Sequence, residues 1–152
     1  MTANAQAMAT SFKAEVLQAY HALGPANTRA TNAPDTLLAA LYAAGSGLGA
    51  ATAIYSSVNE VTGTGYTAGG NVVANANPPT TSGTSAYWTP SAAVTWPGLT
   101  ISITFDCMLL YNQTQGNRAI CTLTFVPQTI LSGTFTYAIP ANALGSALIN
   151  LN

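Results

Sequence analysis

The sequence predicts a mainly β protein, an antiparallel β-sandwich or jelly-roll-like barrel with one α-helix near the N-terminus. The first observation is the stretch from Leu99 to Phe125, where apolar and hydroxyl side chains alternate along two arms around the polar segment from Asn112 to Asn117. A period of two places successive side chains on opposite faces of a strand. The second observation is a series of short apolar segments bounded by Pro and Gly, which is typical of a sandwich or barrel.

The two arms predict a long central hairpin that ends at Pro127. Its apolar face would carry Ile101, Ile103, Phe105, Cys107, Leu109, Tyr111, Ala119, Cys121, Leu123 and Phe125. If Tyr111 faces Asn117, the two cysteines are direct neighbours, and a slip of two residues separates them. In either register we expect free thiols that face the core and act as small hydrophobes.

A helix is predicted from Ser11 to Leu23, because apolar residues recur there every three or four positions. Ser11 would be the N-cap, with Glu15 in the first turn. The 152 residues predict one domain, with an N-terminal arm over 1–10, the helix over 11–23 and a β-sandwich over 36–152. We expect neighbours to hold the arm, because free termini are seldom ordered.

The remaining segments predict short strands. Thr36 to Ala44 could be helix or buried strand, and its short length before a glycine-rich segment favours the strand. Further strands are predicted at 71–74, 86–89, 93–96 and 134–139, and the tail could be a strand or a helical turn.

Composition excludes several classes of function. Only 5% of the residues are charged, whereas soluble domains carry roughly a quarter. So little charge repulsion suits a packed assembly better than a free secreted domain. The 3 basic residues give no electrostatic footprint for nucleic acid. No segment has the pattern of a signal peptide, a membrane span or a polybasic anchor, so we expect no membrane partner and synthesis in the cytoplasm.

No group of residues predicts catalysis, a cofactor, a metal or a small-molecule substrate. His21 is the only histidine, and nothing in its spacing pairs it with a nucleophile and an acid. The glycine-rich segment after Glu60 lacks the Lys of a phosphate loop, so we interpret it as turns whose N–H groups Glu60 accepts. Trp88 and Trp96 could stack on a sugar, but large aromatics more often anchor a core or an interface. We therefore expect no enzyme.

One motif, NEVTGTGYTAGG from Asn59 to Gly70, gives the chain a resemblance. Other segments accompany it in order along nearly the whole chain: Phe12 to Leu17, Ala40 to Tyr42, Thr81 to Gly83, Trp96, Leu109 to Asn112, Asn117 to Ile120, and Ser132 to Pro140. With these segments the sequence resembles a widespread group of small structural proteins of tailed bacteriophages. The group's strand at Ala40 to Tyr42 also favours a strand in this chain.

The resemblance implies a structural virion protein on the capsid surface. It implies a capsid decoration (cement) protein or a head-fibre base, and for a decoration protein we expect a homotrimer that binds the major capsid protein and stabilises the head. Two alternatives stay open. One is a receptor- or glycan-binding module of a fibre, using Trp88 and Trp96, and the other is a tail or neck component.

Overall fold

The computed structural model describes residues 2–17, 20, 21, 23 and 34–151. Its elements are β1 (Ala7–Met8), α1 (Thr10–Leu17), β2 (Leu37–Ala43), β3 (Asn71–Val73), β4 (Thr80–Ser82), β5 (Ser85–Trp88), β6 (Val94–Asn112), β7 (Arg118–Tyr137) and β8 (Ile149–Leu151). All strands pair antiparallel, in one sheet of order β1-β7-β6-β2-β3 and a second of order β4-β5-β8. The prediction of a mainly β fold with two antiparallel sheets and one small helix is confirmed, and within these ranges the strands form no closed barrel.

The central hairpin is longer than predicted. β6 has 19 residues and β7 has 20, and both continue through the prolines that were expected to end them. Pro97 lies within a register shift between Trp96 and Leu99, and Pro127 within another that joins Phe105 and Cys107 to β7. A proline is tolerated at such irregularities, because the ladder is already interrupted there and its missing N–H leaves no bond unmade.

The long hairpin bends back on itself. Phe125 and Phe135 are ten residues apart on β7, about 33 Å along a straight strand, yet their ring centroids are 5.0 Å apart. The Phe105 ring contacts both, at 5.9 Å from Phe125 and 5.2 Å from Phe135. The loop-proximal half of the hairpin (105–112 with 118–124) therefore faces its distal half (94–101 with 130–137).

The core lies mainly around β2 and the loop-proximal half of the hairpin. Every side chain of β2 from Leu37 to Tyr42 is buried, so both faces of this strand are covered, while β6 and β3 pair with its two edges. Met108 and Leu110 are buried as fully as Cys107 and Leu109, so this part of β6 is covered on both faces. Trp88 and Ile149 of the second sheet belong to the same hydrophobic cluster, which joins the two sheets.

The register separates the two cysteines. Cys107 lies opposite Thr124 and Cys121 opposite Leu110, because Tyr111 pairs with Ala119 rather than Asn117. Both thiols are free and buried, which confirms that part of the prediction. Burial raises the pKa of each to about 12, so neither is ionised near neutral pH. Ile103 is 42% exposed, so the predicted apolar face is wrong at that position.

The helix is shorter than predicted. It begins at Thr10 and ends at Leu17, and the described residues Tyr20, His21 and Leu23 lie outside it. Ser11 is inside the helix rather than its N-cap, and its buried Oγ has no hydrogen-bond partner among the described residues. The Tyr20 N–H closes the segment by donating to the carbonyl of Glu15, one residue further back than in an α-helix. The sequence also predicts a polar loop from Gly24 to Pro34, which lies almost wholly outside the described residues.

The N-terminal arm is bound by its own chain, and the expectation that neighbours hold it stays a prediction. Asn4 Oδ1 accepts hydrogen bonds from Ser46 Oγ and the Leu48 N–H, while its Nδ2 donates to Asp106. Further along, β1 pairs with β7 at Thr122 and Cys121. These bonds fix Asn4 and β1 against the rest of the chain.

Phe105→Ala should show whether the aromatic contacts hold the bend. Removing a fully buried phenyl ring leaves a cavity, and we expect a loss of about 3–5 kcal/mol in the free energy of unfolding, measured by urea denaturation. The control, Ile103→Ala, removes an exposed side chain two positions away and should change stability by less than about 0.5 kcal/mol. Equal effects of the two variants would contradict this account of the bend.

Candidate functional site

The motif from Asn59 to Gly70 is built around the buried carboxylate of Glu60. Glu60 Oε1 accepts hydrogen bonds from Tyr66 Oη at 2.6 Å and from the Gly69 N–H at 2.7 Å. Its Oε2 accepts a third bond from Tyr55 Oη at 2.7 Å. The prediction that Glu60 accepts backbone N–H groups of the glycine-rich turns is confirmed. The Glu60 carboxylate occupies the Gly69 N–H that a bound phosphate would need as a donor, which argues against a phosphate loop.

The tyrosines connect this motif to the hairpin and to β2. Tyr66 Oη also accepts the N–H of Leu41, and Tyr111 Oη donates to the Gly69 carbonyl at 2.8 Å. The Tyr55 and Tyr111 rings stack at 4.7 Å. Burial raises the pKa of Tyr111 to about 12, and burial together with the Glu60 hydrogen bond raises the pKa of Tyr66 further. All three phenols therefore remain neutral donors.

Two glycines let this motif lie directly against strand backbone. A Cβ on Gly70 would stand 1.7 Å from the Ala39 carbonyl oxygen, and one on Gly65 would stand 2.3 Å from the Gly98 carbonyl oxygen. Both residues also have a positive φ, which glycine adopts without strain. The motif therefore fixes the packing between β2 and β6, and its composition follows from close approach rather than from ligand chemistry.

A second buried polar cluster joins the helix segment to the tip of the hairpin. Glu15 Oε1 accepts a 2.6 Å bond from Arg118 Nη1, and Glu15 Oε2 lies 2.8 Å from His21 Nε2. The other ring nitrogen of His21, Nδ1, lies 3.0 Å from Asn112 Nδ2. That same amide nitrogen donates to Asp35 Oδ2 at 2.7 Å. Three segments distant in the chain meet in this cluster: the helix segment, Asp35 and the tip of the hairpin.

This arrangement fits a neutral His21 with its proton on Nε2. The Nε2–H then donates to Glu15, and Nδ1 accepts from Asn112. Burial lowers the pKa of His21 from 6.5, although the Glu15 carboxylate opposes that shift. Both ring nitrogens are engaged by protein groups, so His21 holds the tip of the hairpin and has no free nitrogen for a substrate. Glu15, predicted to favour the helix N-terminus, instead pairs with Arg118 and His21.

The tryptophans are core residues, as the sequence favoured. Trp88 and Trp96 are 2% and 0% exposed, and Trp88 Nε1 donates to the Asn77 carbonyl. Neither ring presents a face to solvent, so the alternative of a sugar-stacking platform on these two residues is wrong.

The described surface carries almost no charge. Glu15, Asp35 and Glu60 are buried, while Asp106 and Arg118 are half-buried and hydrogen-bonded. These are all the charged residues whose side chains the structure describes, and none of them is exposed. In their place the surface presents hydroxyl groups and single large apolar side chains: Tyr20, Ile54, Val58, Val72, Ile103, Val126, Leu131, Leu144 and Leu151. This neutral exterior is the feature on which a function can be argued.

Comparisons with protein-family models, curated proteins and solved structures give no match. Among the described residues, no helix is long and apolar enough to cross a membrane. The same residues contain no group of three or more His, Cys, Asp and Glu side chains arranged to hold a metal ion.

Gly70→Ala tests the close approach of the motif to β2. The added methyl group would overlap the Ala39 backbone, and we expect a loss of about 3 kcal/mol or more in urea denaturation. Gly83→Ala is the matched control, because Gly83 also has a positive φ but open space around its Cβ position. It should cost only about 1–2 kcal/mol of backbone strain. A Gly70→Ala protein as stable as the control would refute the packing role.

The His21 cluster predicts stability that falls in mild acid. Because the folded-state pKa lies below the unfolded value of 6.5, the unfolded chain binds the proton first as pH falls. The free energy of unfolding should therefore be constant near pH 7 and decrease from about pH 6.5 downwards. His21→Gln should remove most of this decrease between about pH 7 and about pH 5, where carboxylates titrate little. A wild-type curve that is flat over this window would contradict the neutral, buried His21.

Proposed function

We propose that this protein is a structural component of a tailed-phage virion, a capsid decoration protein that binds the major capsid protein and stabilises the head. The single observation that carries the proposal is the uncharged exterior, in which the described acidic and basic side chains are buried or half-buried and apolar side chains are exposed. The resemblance of the motif from Asn59 to Gly70 supports the same assignment.

The physical argument concerns the difference between a free protein and an assembled one. A protein that stays dissolved at high concentration usually carries exposed charge, which keeps copies apart. Here the described carboxylates are used inside the fold, Glu60 by the motif and Glu15 by Arg118 and His21. An exterior of hydroxyl and apolar groups is suited to permanent contact with another protein surface. Repeated over a shell, interfaces of standard size, roughly 1,600 Å² each, would supply the stabilisation.

The extensive internal hydrogen bonding supports a rigid clip better than a mobile binding loop. The longest described segment outside the strands, between β2 and β3, is fixed by Glu60 and its tyrosines rather than left free. A rigid partner loses little conformational entropy on binding, so more of the contact energy is retained in the complex.

Binding that depends on apolar and neutral polar contacts should resist salt. Purified heads of the phage that carries the gene would be pelleted with added protein at sodium chloride from about 0.1 M to about 1 M, where the Debye length falls from about 10 Å to about 3 Å. We expect the bound fraction to stay constant, and heads lacking the protein to lose heat resistance. Release at moderate salt would contradict the contact chemistry, and no binding at any salt would reject the decoration role.

Three charge-insertion variants would locate the contact. Val58→Lys, Val72→Lys and Leu144→Lys each place a charge at an exposed apolar position in a different part of the chain, so all three should fold. The variant whose lysine enters the interface should lose binding, because the charge would be buried without a partner. The other two variants are its controls. The copy number per particle, many for a decoration protein and one ring for a neck or tail component, separates those two locations.

A further inference from the structure

The distal half of β7 is an open sheet edge. β6 pairs with one side of β7, and β1 pairs with the other side only at Cys121 and Thr122. From Val126 to Thr136 no described backbone group outside the hairpin bonds to this edge. A row of outward N–H and C=O groups is therefore available to another strand.

The core beneath this edge is only partly covered. On β6, the inward side chains Trp96 and Ile101 are fully buried. Their cross-strand partners on β7, Phe135 and Ile130, are only half-buried. The same contrast holds one pair further out, where Val94 is buried and Tyr137 is half-buried. The inward side chains of β6 are therefore fully covered, whereas those of β7 are covered only in part.

Natural proteins protect such edges with charged residues, prolines or very short strands. After Arg118, β7 contains no charged residue through Tyr137. Pro127 lies at the start of the open stretch, and the register shift between Ile130 and Gly133 bends it once. The last residues, from Gly133 to Tyr137, contain neither a charged residue nor a proline. An extended segment that adds to the edge would bond to its backbone groups and cover the half-buried rings together.

We propose that a second copy of this chain is the occupant, and that the two β7 edges pair antiparallel about a twofold axis. A twofold contact brings like residues together, which on an ordinary edge opposes like charges. This edge has no charges to oppose. Its exposed Thr134 and Thr136 hydroxyls can form cross-strand hydrogen bonds on the outer face. On the inner face, each Phe135 ring gains cover from the partner's strand.

This inference goes beyond the proposed capsid role and does not depend on it. For a decoration protein the sequence analysis expects a trimer, whereas the open edge favours a twofold contact. The test therefore uses the purified full chain without heads, so failure of the edge contact and failure of capsid binding are observed separately.

Thr134→Lys tests the edge by opposing two like charges across the twofold axis. Sedimentation equilibrium should give a dimer for the wild type and a dissociation constant at least about tenfold higher for Thr134→Lys, which high salt should partly restore. Val72→Lys, on the exposed face of β3 at the other end of the sheet, is the matched control and should remain dimeric. Unchanged thermal melting of both variants would show that the fold is intact.

Hydrogen exchange at low and high protein concentration provides a second measurement. We expect the amides between Gln128 and Tyr137 to become protected as the dimer forms, with β3 unchanged. A wild-type monomer, a trimer, a dimer that Thr134→Lys leaves intact, or concentration-dependent protection elsewhere would each overturn the proposal.

Discussion

The bend of the β6–β7 hairpin is the constraint on which the rest of the structure depends. A straight hairpin of this length would leave its apolar rows in water, because only one half of it has β2 beside it. Folding back places Phe105 against Phe125 and Phe135, so each half covers the other. The contact among these rings removes apolar surface from water, which favours the ordering of so long a hairpin. The second sheet then needs only three short strands to complete the layer.

The described charged side chains are buried or half-buried in this fold rather than exposed on its surface. Glu60 accepts hydrogen bonds from two phenols and a backbone N–H, and Glu15 forms hydrogen bonds with Arg118 and His21. A buried carboxylate is tolerated only when its oxygens are satisfied, and both are. This burial also determines the character of the surface. A chain with so few charges that buries most of the described ones presents an exterior of hydroxyls and single apolar side chains, which suits lasting contact with another protein.

The bend and the neutral edge are connected. Because β1 pairs with β7 only at Cys121 and Thr122, no described backbone group outside the hairpin bonds to the outer edge of its distal half, and the half-buried Phe135 and Tyr137 lie beneath that edge. In the distal half of the hairpin, the inward side chains of β6 are thus buried, whereas those of β7 are only half-buried. One physical feature therefore accounts both for the stability of the single chain and for the surface through which we infer that it associates with a second copy.

The sequence by itself determined what depends on local pattern. Period-two alternation predicted the central hairpin, and a short apolar run before a glycine-rich segment, together with the resemblance, predicted the buried strand β2. The usual place of large aromatics predicted the core role of Trp88 and Trp96, and the glycine-rich turns predicted that Glu60 accepts a backbone N–H. Tertiary structure decided what depends on contacts between distant residues. Pro97 and Pro127 looked like strand ends, yet register shifts let both strands continue through them. Helix periodicity extended to Leu23, yet the helix ends at Leu17, and His21 bonds to Glu15 and Asn112 outside it. Local propensity is worth only fractions of a kcal/mol per residue, so burial and buried hydrogen bonds outweigh it.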